Sequence, residues 1–182
     1  MAENFSFGKN WERFVERSLS PAREEEALAS LKAFLKTDSL AGKTFVDIGC
    51  GSGLFSLAAL RLGATKIVSF DVDPFSVRCT RLLHERAGKP AHWTVTEGSV
   101  LDDAFLSGLG TFDVVYSWGV LHHTGNMNTA IRNAMKLVAP KGLFYIAIYN
   151  TADNFGPHAD GRVGSAKFWE KEKKFYNSLP QL

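Results

Sequence analysis

Cysteine is scarce in this chain. The two present, Cys50 and Cys79, stand apart from any CxxC pair, so neither a disulfide framework nor a cysteine metal cluster is indicated. Long apolar runs are missing too; none approaches the roughly 20 residues needed to cross a bilayer. The opening Met1-Ala2-Glu3-Asn4-Phe5 has no basic start followed by an apolar run, which argues against a secretory signal and for the cytoplasm. Nor is there an excess of either charge. A net charge of +2 produces no strong field to recruit nucleic acid or an acidic membrane. Arg78, Arg81, Arg86 and Lys89, and later Lys167, Lys171, Lys173 and Lys174, are interleaved with acids or apolar residues and read as solvated helix faces. Neither a nucleic-acid partner nor a membrane is expected. With 182 residues, 45% of them hydrophobic and 22% charged, the chain has the composition of an ordinary globular protein with a sizeable core.

What the chain does have is glycine in one telling arrangement. The apolar run around Phe45, Val46 and Ile48 reads as a buried strand, and it feeds Gly49-Cys50-Gly51-Ser52-Gly53. A helix-period run begins at Leu54. Glycine is needed where backbone turns sharply or meets a ligand without a Cβ in the way, and the following helix aims free N–H groups at that turn. Asp71 ends the next strand, twenty positions after Gly51, the spacing at which α/β nucleotide sites hold a ribose. A nucleoside-containing cofactor is therefore indicated. Leu54 stands where a dinucleotide fingerprint wants its third glycine, which disfavours a nicotinamide oxidoreductase without removing it as the alternative. Cys50 reads as a small residue tolerated in a tight loop, and Asp73, just before Pro74, as a helix cap.

Periods alternate along the rest of the chain. Strands are expected at about 44–48, 66–71, 92–96, 112–118 and 142–149, and helices at about 54–62, 74–87, 103–108 and 127–138. Residues 9–36 read as two helices broken at Ser20-Pro21. Such alternation implies an α/β fold, a doubly wound parallel sheet with helices on both faces in three layers. The segment 150–164 reads as a long loop and 165–179 as an amphipathic helix. Strand five is apolar on both faces, and as a last strand it leaves a long backbone edge unpaired.

Several separated motifs resemble class I S-adenosylmethionine-dependent methyltransferases. Val46-Asp47-Ile48-Gly49-Cys50-Gly51-Ser52-Gly53 is similar to their first motif. The run from Phe112 through Ser117-Trp118 to Leu121-His122-His123-Thr124 is similar to the fourth-strand motif of small-molecule members, including those of quinone biosynthesis. Leu137-Val138-Ala139-Pro140-Lys141-Gly142 is similar to their turn before strand five. The Asn/Asp-Pro-Pro-aromatic pattern of enzymes that methylate base amino groups is not present.

The resemblance implies a Rossmann-like sheet in the order 3-2-1-4-5, with strands 6 and 7 of the family missing from this chain. A partner chain or crystal contact on the edge of strand five is the alternative. It implies an N-terminal helical lid over 1–40, a cofactor-binding core over 41–150, and a truncated C-terminal part from 151 to 182. It implies S-adenosyl-L-methionine as cofactor, with S-adenosyl-L-homocysteine as product and no metal. Asp47 would orient the loop and contact the methionine ammonium, and Gly49, Cys50, Gly51 and Gly53 would lie along the methionine and ribose. Asp71 would take the ribose hydroxyls and Val72 the adenine face. Ser99 and Val100 would reach the adenine edge, and Ser117 and Trp118 would line the pocket. His122 and His123 are the candidate general bases for methyl transfer to a small-molecule oxygen, nitrogen or carbon acceptor by direct displacement. A non-catalytic cofactor-binding module is a further alternative.

Overall fold

The structure is a computed structural model that describes residues 20–149. The helix expected before Ser20 and the loop and helix expected after Asn150 lie outside the described residues, as does any sixth or seventh strand. One compact unit runs through Ile148.

Within it, α1 (Pro21–Leu35) precedes β1 (Thr44–Ile48), α2 (Leu54–Arg61), β2 (Lys66–Asp71) and α3 (Pro74–Arg86). Next come β3 (Trp93–Glu97), α4 (Asp103–Ser107), β4 (Phe112–Trp118), a single 3₁₀ turn at Leu121–His123, α5 (Met127–Lys136) and β5 (Val138–Ala147). The five strands form one sheet in the order β3-β2-β1-β4-β5, and each neighbouring pair is parallel. The expected sheet order is therefore the observed one.

Local chemistry sets the boundaries. Ser20 caps α1 by accepting from the Arg23 amide, and Pro21 opens the helix, where its missing N–H costs nothing. Lys36 closes α1 in the left-handed region at φ 52°. Asp73 and Asp102 cap α3 and α4 through the amides of Phe75 (2.8 Å) and Phe105 (3.0 Å).

The largest departure from expectation is at β5, which begins at Val138 rather than 142. Val138 pairs with Phe112, but the next pair is Leu143 with Val114. Ala139 to Gly142 are accommodated as an irregularity in the strand. Lys141 takes φ 64° there, and a Cβ on Gly142 would stand 2.8 Å from the Ala139 carbonyl oxygen, so the turn signal marks a bulge inside the strand.

Two apolar clusters sandwich the sheet. Phe45, Ile67, Val114 and Tyr116 face α1, α2 and α3 with Leu31, Leu57 and Leu83. Val46, Val68, Phe70 and Val115 face α4 and α5 with Leu106, Ala130 and Ala134. Burying an aliphatic or aromatic side chain of this size contributes about 1.5–3 kcal/mol, so these two layers hold the strand ends in place.

Candidate functional site

The sheet reverses direction of growth at β1, with β2 on one side and β4 on the other. Open α/β sheets bind ligands at such a switch point, beyond the carboxyl ends of the strands. The glycine loop leaves β1 there.

Gly49, Gly51 and Gly53 have φ of 73°, 54° and 82°, a region that other L-residues enter at a cost of roughly 1–2 kcal/mol. The amides of Gly49 and Cys50 both donate to the Phe70 carbonyl, at 2.8 and 3.1 Å, which ties the loop to the end of β2. Space is as restrictive as conformation. A Cβ on Gly49 would meet Val120 at 2.5 Å, and one on Gly53 would meet Thr80 at 2.9 Å. Thr80 Oγ1 lies 3.2 Å from the Gly51 carbonyl oxygen and 3.3 Å from Cys50 Sγ. The Cys50 thiol is buried, and burial together with the nearby Asp47 pushes its pKa well up, so it is an inert filler.

Asp71 is the hub of the loop. Its Oδ2 accepts the Gly51 amide at 3.1 Å and its Oδ1 accepts the Asp73 amide at 3.0 Å. A carboxylate offers about four acceptor positions, so both oxygens keep capacity for hydroxyl donors. Burial raises its pKa, opposed by the amides of Asp73 and Gly51. Beside it Val72 is 66% exposed, an apolar surface available to a flat ring. The N-cap of α2 is Gly53, which supplies no side-chain cap; the Ser56 amide is taken by Asp47, and the N–H groups ahead of it in the first turn face the loop. These features fit a nucleoside-bearing ligand with an anionic end.

Asp47 lies deeper. It accepts the Ser56 hydroxyl at 2.6 Å. Burial raises its pKa to about 7 against the Ser56 hydroxyl bond, and Asp71 adds to the rise. Strand register aligns it with Ser69 on one side and Tyr116 on the other, with Tyr145 next in line. A polar rung thus crosses the sheet just above the apolar rung of Ile67, Phe45 and Val114.

The other candidate residues divide. Trp118, 39% exposed, stacks on Phe34 of α1 at 4.7 Å and lies parallel to Tyr145 at 6.1 Å. Ser117 is fully buried and donates to the Ile48 carbonyl at 3.1 Å, so its hydroxyl ties β4 to β1. Ser99 Oγ accepts the Leu101 amide at 3.1 Å. Val100 is a core residue whose carbonyl accepts from Asn133 Nδ2 at 3.0 Å. Their side chains shape the turn after β3. His122 is half-buried and His123 exposed, with ring centroids 3.9 Å apart. Burial, then His123, lowers the His122 pKa, which favours the neutral imidazole. Sequence reasoning missed Ser56, Ser69, Thr80, Val120 and Phe34 as site residues; of these only Val120 falls inside one of the motifs, where it reads as an ordinary apolar position.

A surface cleft of about 490 Å³ between α4 and α5 lies beside Gly110 and Thr111, at the start of β4 and away from the loop. It is flanked by the exposed Lys136–Asp103 ion pair, 2.8 Å. Among the described residues no group of three or more His, Cys, Asp or Glu could hold a metal, and no helix is long and apolar enough to cross a membrane.

A family model described as a methyltransferase domain matches residues 20–181. The chain belongs to the S-adenosylmethionine-dependent methyltransferase family. The domain is similar to the ubiquinone biosynthesis O-methyltransferase of Methylobacterium sp. strain 4-46, 34% identical over 116 residues, covering 64% of this chain and 45% of that one. A shorter match, 46% identical over 55 residues, joins 30% of this chain to 19% of the ribosomal protein L11 methyltransferase of Photobacterium profundum. The chain thus spans less than half the length of these curated relatives. Among solved structures, the SAM-dependent methyltransferase of Thiobacillus denitrificans in complex with S-adenosyl-L-homocysteine superposes with a TM-score of 0.57 at 20% identity, covering 76% of this chain and 53% of that one. The methyltransferase fold is common to both.

Proposed function

We propose that this domain binds S-adenosyl-L-methionine in the glycine loop and transfers its methyl group to an oxygen, nitrogen or carbon of a small molecule. The observation that carries the reading is the Asp71–Gly51 bond of 3.1 Å. It joins the acid that ends β2 to a loop of three left-handed glycines that opens onto a helix whose N-cap, Gly53, has no side chain to cap it.

The cofactor supplies an electrophilic methyl group on a sulfonium. The chain's own residues bind and orient. Asp71 accepts the ribose hydroxyls with its remaining lone pairs, Val72 covers the adenine, and the first turn of α2 receives the carboxylate, worth about 0.3–1 kcal/mol per exposed charge. Asp47 provides negative charge beneath the loop for the ammonium. Trp118 lies at the mouth beside Phe34, where a planar acceptor has a ring to stack on. His122, held toward its neutral form, can take a proton from an acceptor hydroxyl. A base is dispensable when alignment alone contributes up to about 7–11 kcal/mol.

The relative named for ubiquinone biosynthesis supports a small-molecule acceptor, while the L11 match covers only 55 residues. Calorimetric titration with S-adenosylmethionine, S-adenosylhomocysteine and NAD tests the cofactor; binding of NAD alone overturns the reading. A radiolabelled-methyl assay across hydroxylated, amino and carbon acceptors, with ribosomal protein L11 as a further arm, tests the acceptor. Labelling of the protein alone overturns the small-molecule part.

A further inference from the structure

Four buried side chains form a single directed run of hydrogen bonds leading toward the ligand-facing loop. Trp93 Nε1 donates to Ser69 Oγ at 2.8 Å, Ser69 Oγ donates to Ser56 Oγ at 2.7 Å, and Ser56 Oγ donates to Asp47 Oδ2 at 2.6 Å. The run starts on the edge strand β3, passes β2 and the first turn of α2, and ends on β1. None of the four side chains is more than 3% exposed. Burying polar groups this deeply stabilises no better than apolar packing of the same volume, so packing alone gives no reason for them.

Its direction is set by chemistry. An indole N–H can donate but never accept. It occupies an acceptor position on Ser69 and turns the Ser69 proton toward Ser56, which in turn aims its own proton at Asp47. Each bond polarises the next. Asp47 at the end of the run is thereby held as an acceptor.

We propose that Trp93, Ser69 and Ser56 are positioning residues that hold Asp47 as a hydrogen-bond acceptor beneath the glycine loop, so that the loop's affinity for the positively charged amino end of its cofactor depends on the relay. The affinity part rests on the S-adenosylmethionine reading above; the relay itself does not. Three titratable groups face Asp47: the Cys50 thiol from the loop, Asp71 from the end of β2, and Tyr116 from β4. Asp71 and burial oppose ionisation of Asp47, and the Ser56 hydroxyl favours it. Losing the head of the relay frees the hydroxyls to reverse and accept a proton from Asp47.

The test pairs two readouts on the full chain, for the wild type, Trp93→Phe and Ser69→Ala. Carboxyl ¹³C NMR follows the titration of Asp47 in the free protein, and calorimetry follows S-adenosylhomocysteine affinity from pH 6 to pH 9. In both variants Asp47 should titrate at higher pH than in the wild type. Affinity should fall about threefold at pH 6, the ratio given by half a pKa unit, and match the wild type by pH 9. An unchanged Asp47 titration in the variants overturns the relay, whatever binds. A loss of affinity equal at every pH also overturns it, since that is the mark of simple repacking. Should Trp93→Phe fail to fold, Ser69→Ala, which deletes one oxygen, decides alone. A wild-type protein that binds no S-adenosylhomocysteine overturns the cofactor reading instead, and the relay is then judged on the NMR.

Discussion

Asp71 and Asp47 are both carboxylates near one loop, yet their surroundings give them opposite tasks. Asp71 already satisfies the Gly51 and Asp73 amides and keeps room for two hydroxyls. Hydrogen bonds to a charged group contribute about 1.5–3 kcal/mol each. Asp71→Ala should therefore weaken S-adenosylmethionine binding at least tenfold, measured calorimetrically; unchanged affinity would mean the ribose contact is misassigned. Burial penalises both charges, and Asp47, only 3% exposed, is the deeper of the two. Its folded pKa of about 7 lies above the ordinary carboxylate value, so its contribution to stability is full below the unfolded pKa and is lost as pH rises through 7. Asp47→Asn should thus raise the thermal midpoint relative to wild type at pH 8, with the gain shrinking toward pH 5. A gain equal at both pH values would show that the carboxyl is not what titrates. Both acids were legible in the sequence from their motif positions. The Ser56 hydroxyl that organises Asp47 was not, because a serine in a helix-period run carries no mark of the strand residue nine positions earlier.

At the scale of elements, the glycine loop is held between neighbours that come from far along the chain. Gly49 has φ 73° and sits against Val120, so Gly49→Ala suffers both backbone strain and a clash. Its thermal midpoint should fall by several degrees, and cofactor binding should be lost. Adding Val120→Ala should restore part of the stability, since the two sites touch and their effects are coupled. No restoration in the double variant would place the defect in φ alone. A second cross-strand device fixes β1 against β4. Asp113 Oδ2 accepts the Thr44 amide at 2.9 Å and the Thr44 hydroxyl at 3.0 Å, and these bonds hold its pKa below the usual carboxylate range. Its contribution is present above the unfolded pKa and lost as pH falls through the lower folded value. Asp113→Asn should cost stability at pH 7, and urea denaturation series should show the difference closing as pH drops toward 3. Strand and helix spans in the core were readable to within a residue or two from apolar period and caps. The exception was β5, where Pro140 and Gly142 signalled a turn that the structure builds into the strand.

Across the whole molecule, the glycine loop and its two acids are carried by the interior strands β1 and β2. β1 and β4 lie inside the sheet with neighbours on both sides, whereas β3 and β5 are edges among the described residues. Amide hydrogen exchange should be slowest for Phe45–Ile48 and Val114–Tyr116 and faster along β3. Uniform protection across the sheet would contradict that ranking. The glycine loop thus leaves an interior strand of the sheet, while Val72 and Trp118 are exposed.

The sequence by itself determined the α/β class, the loop and its two acids, because hydrophobic period and glycine spacing are local quantities that survive in one dimension. The 3-2-1-4-5 order entered through family resemblance. Only the tertiary structure decided that Ser117 turns inward to Ile48, that Val100 belongs to the core, and that a tryptophan on the edge strand is linked to Asp47. Those outcomes depend on which strands lie side by side, and hydrogen bonds between residues 9 to 69 positions apart leave no period or spacing in the chain to read.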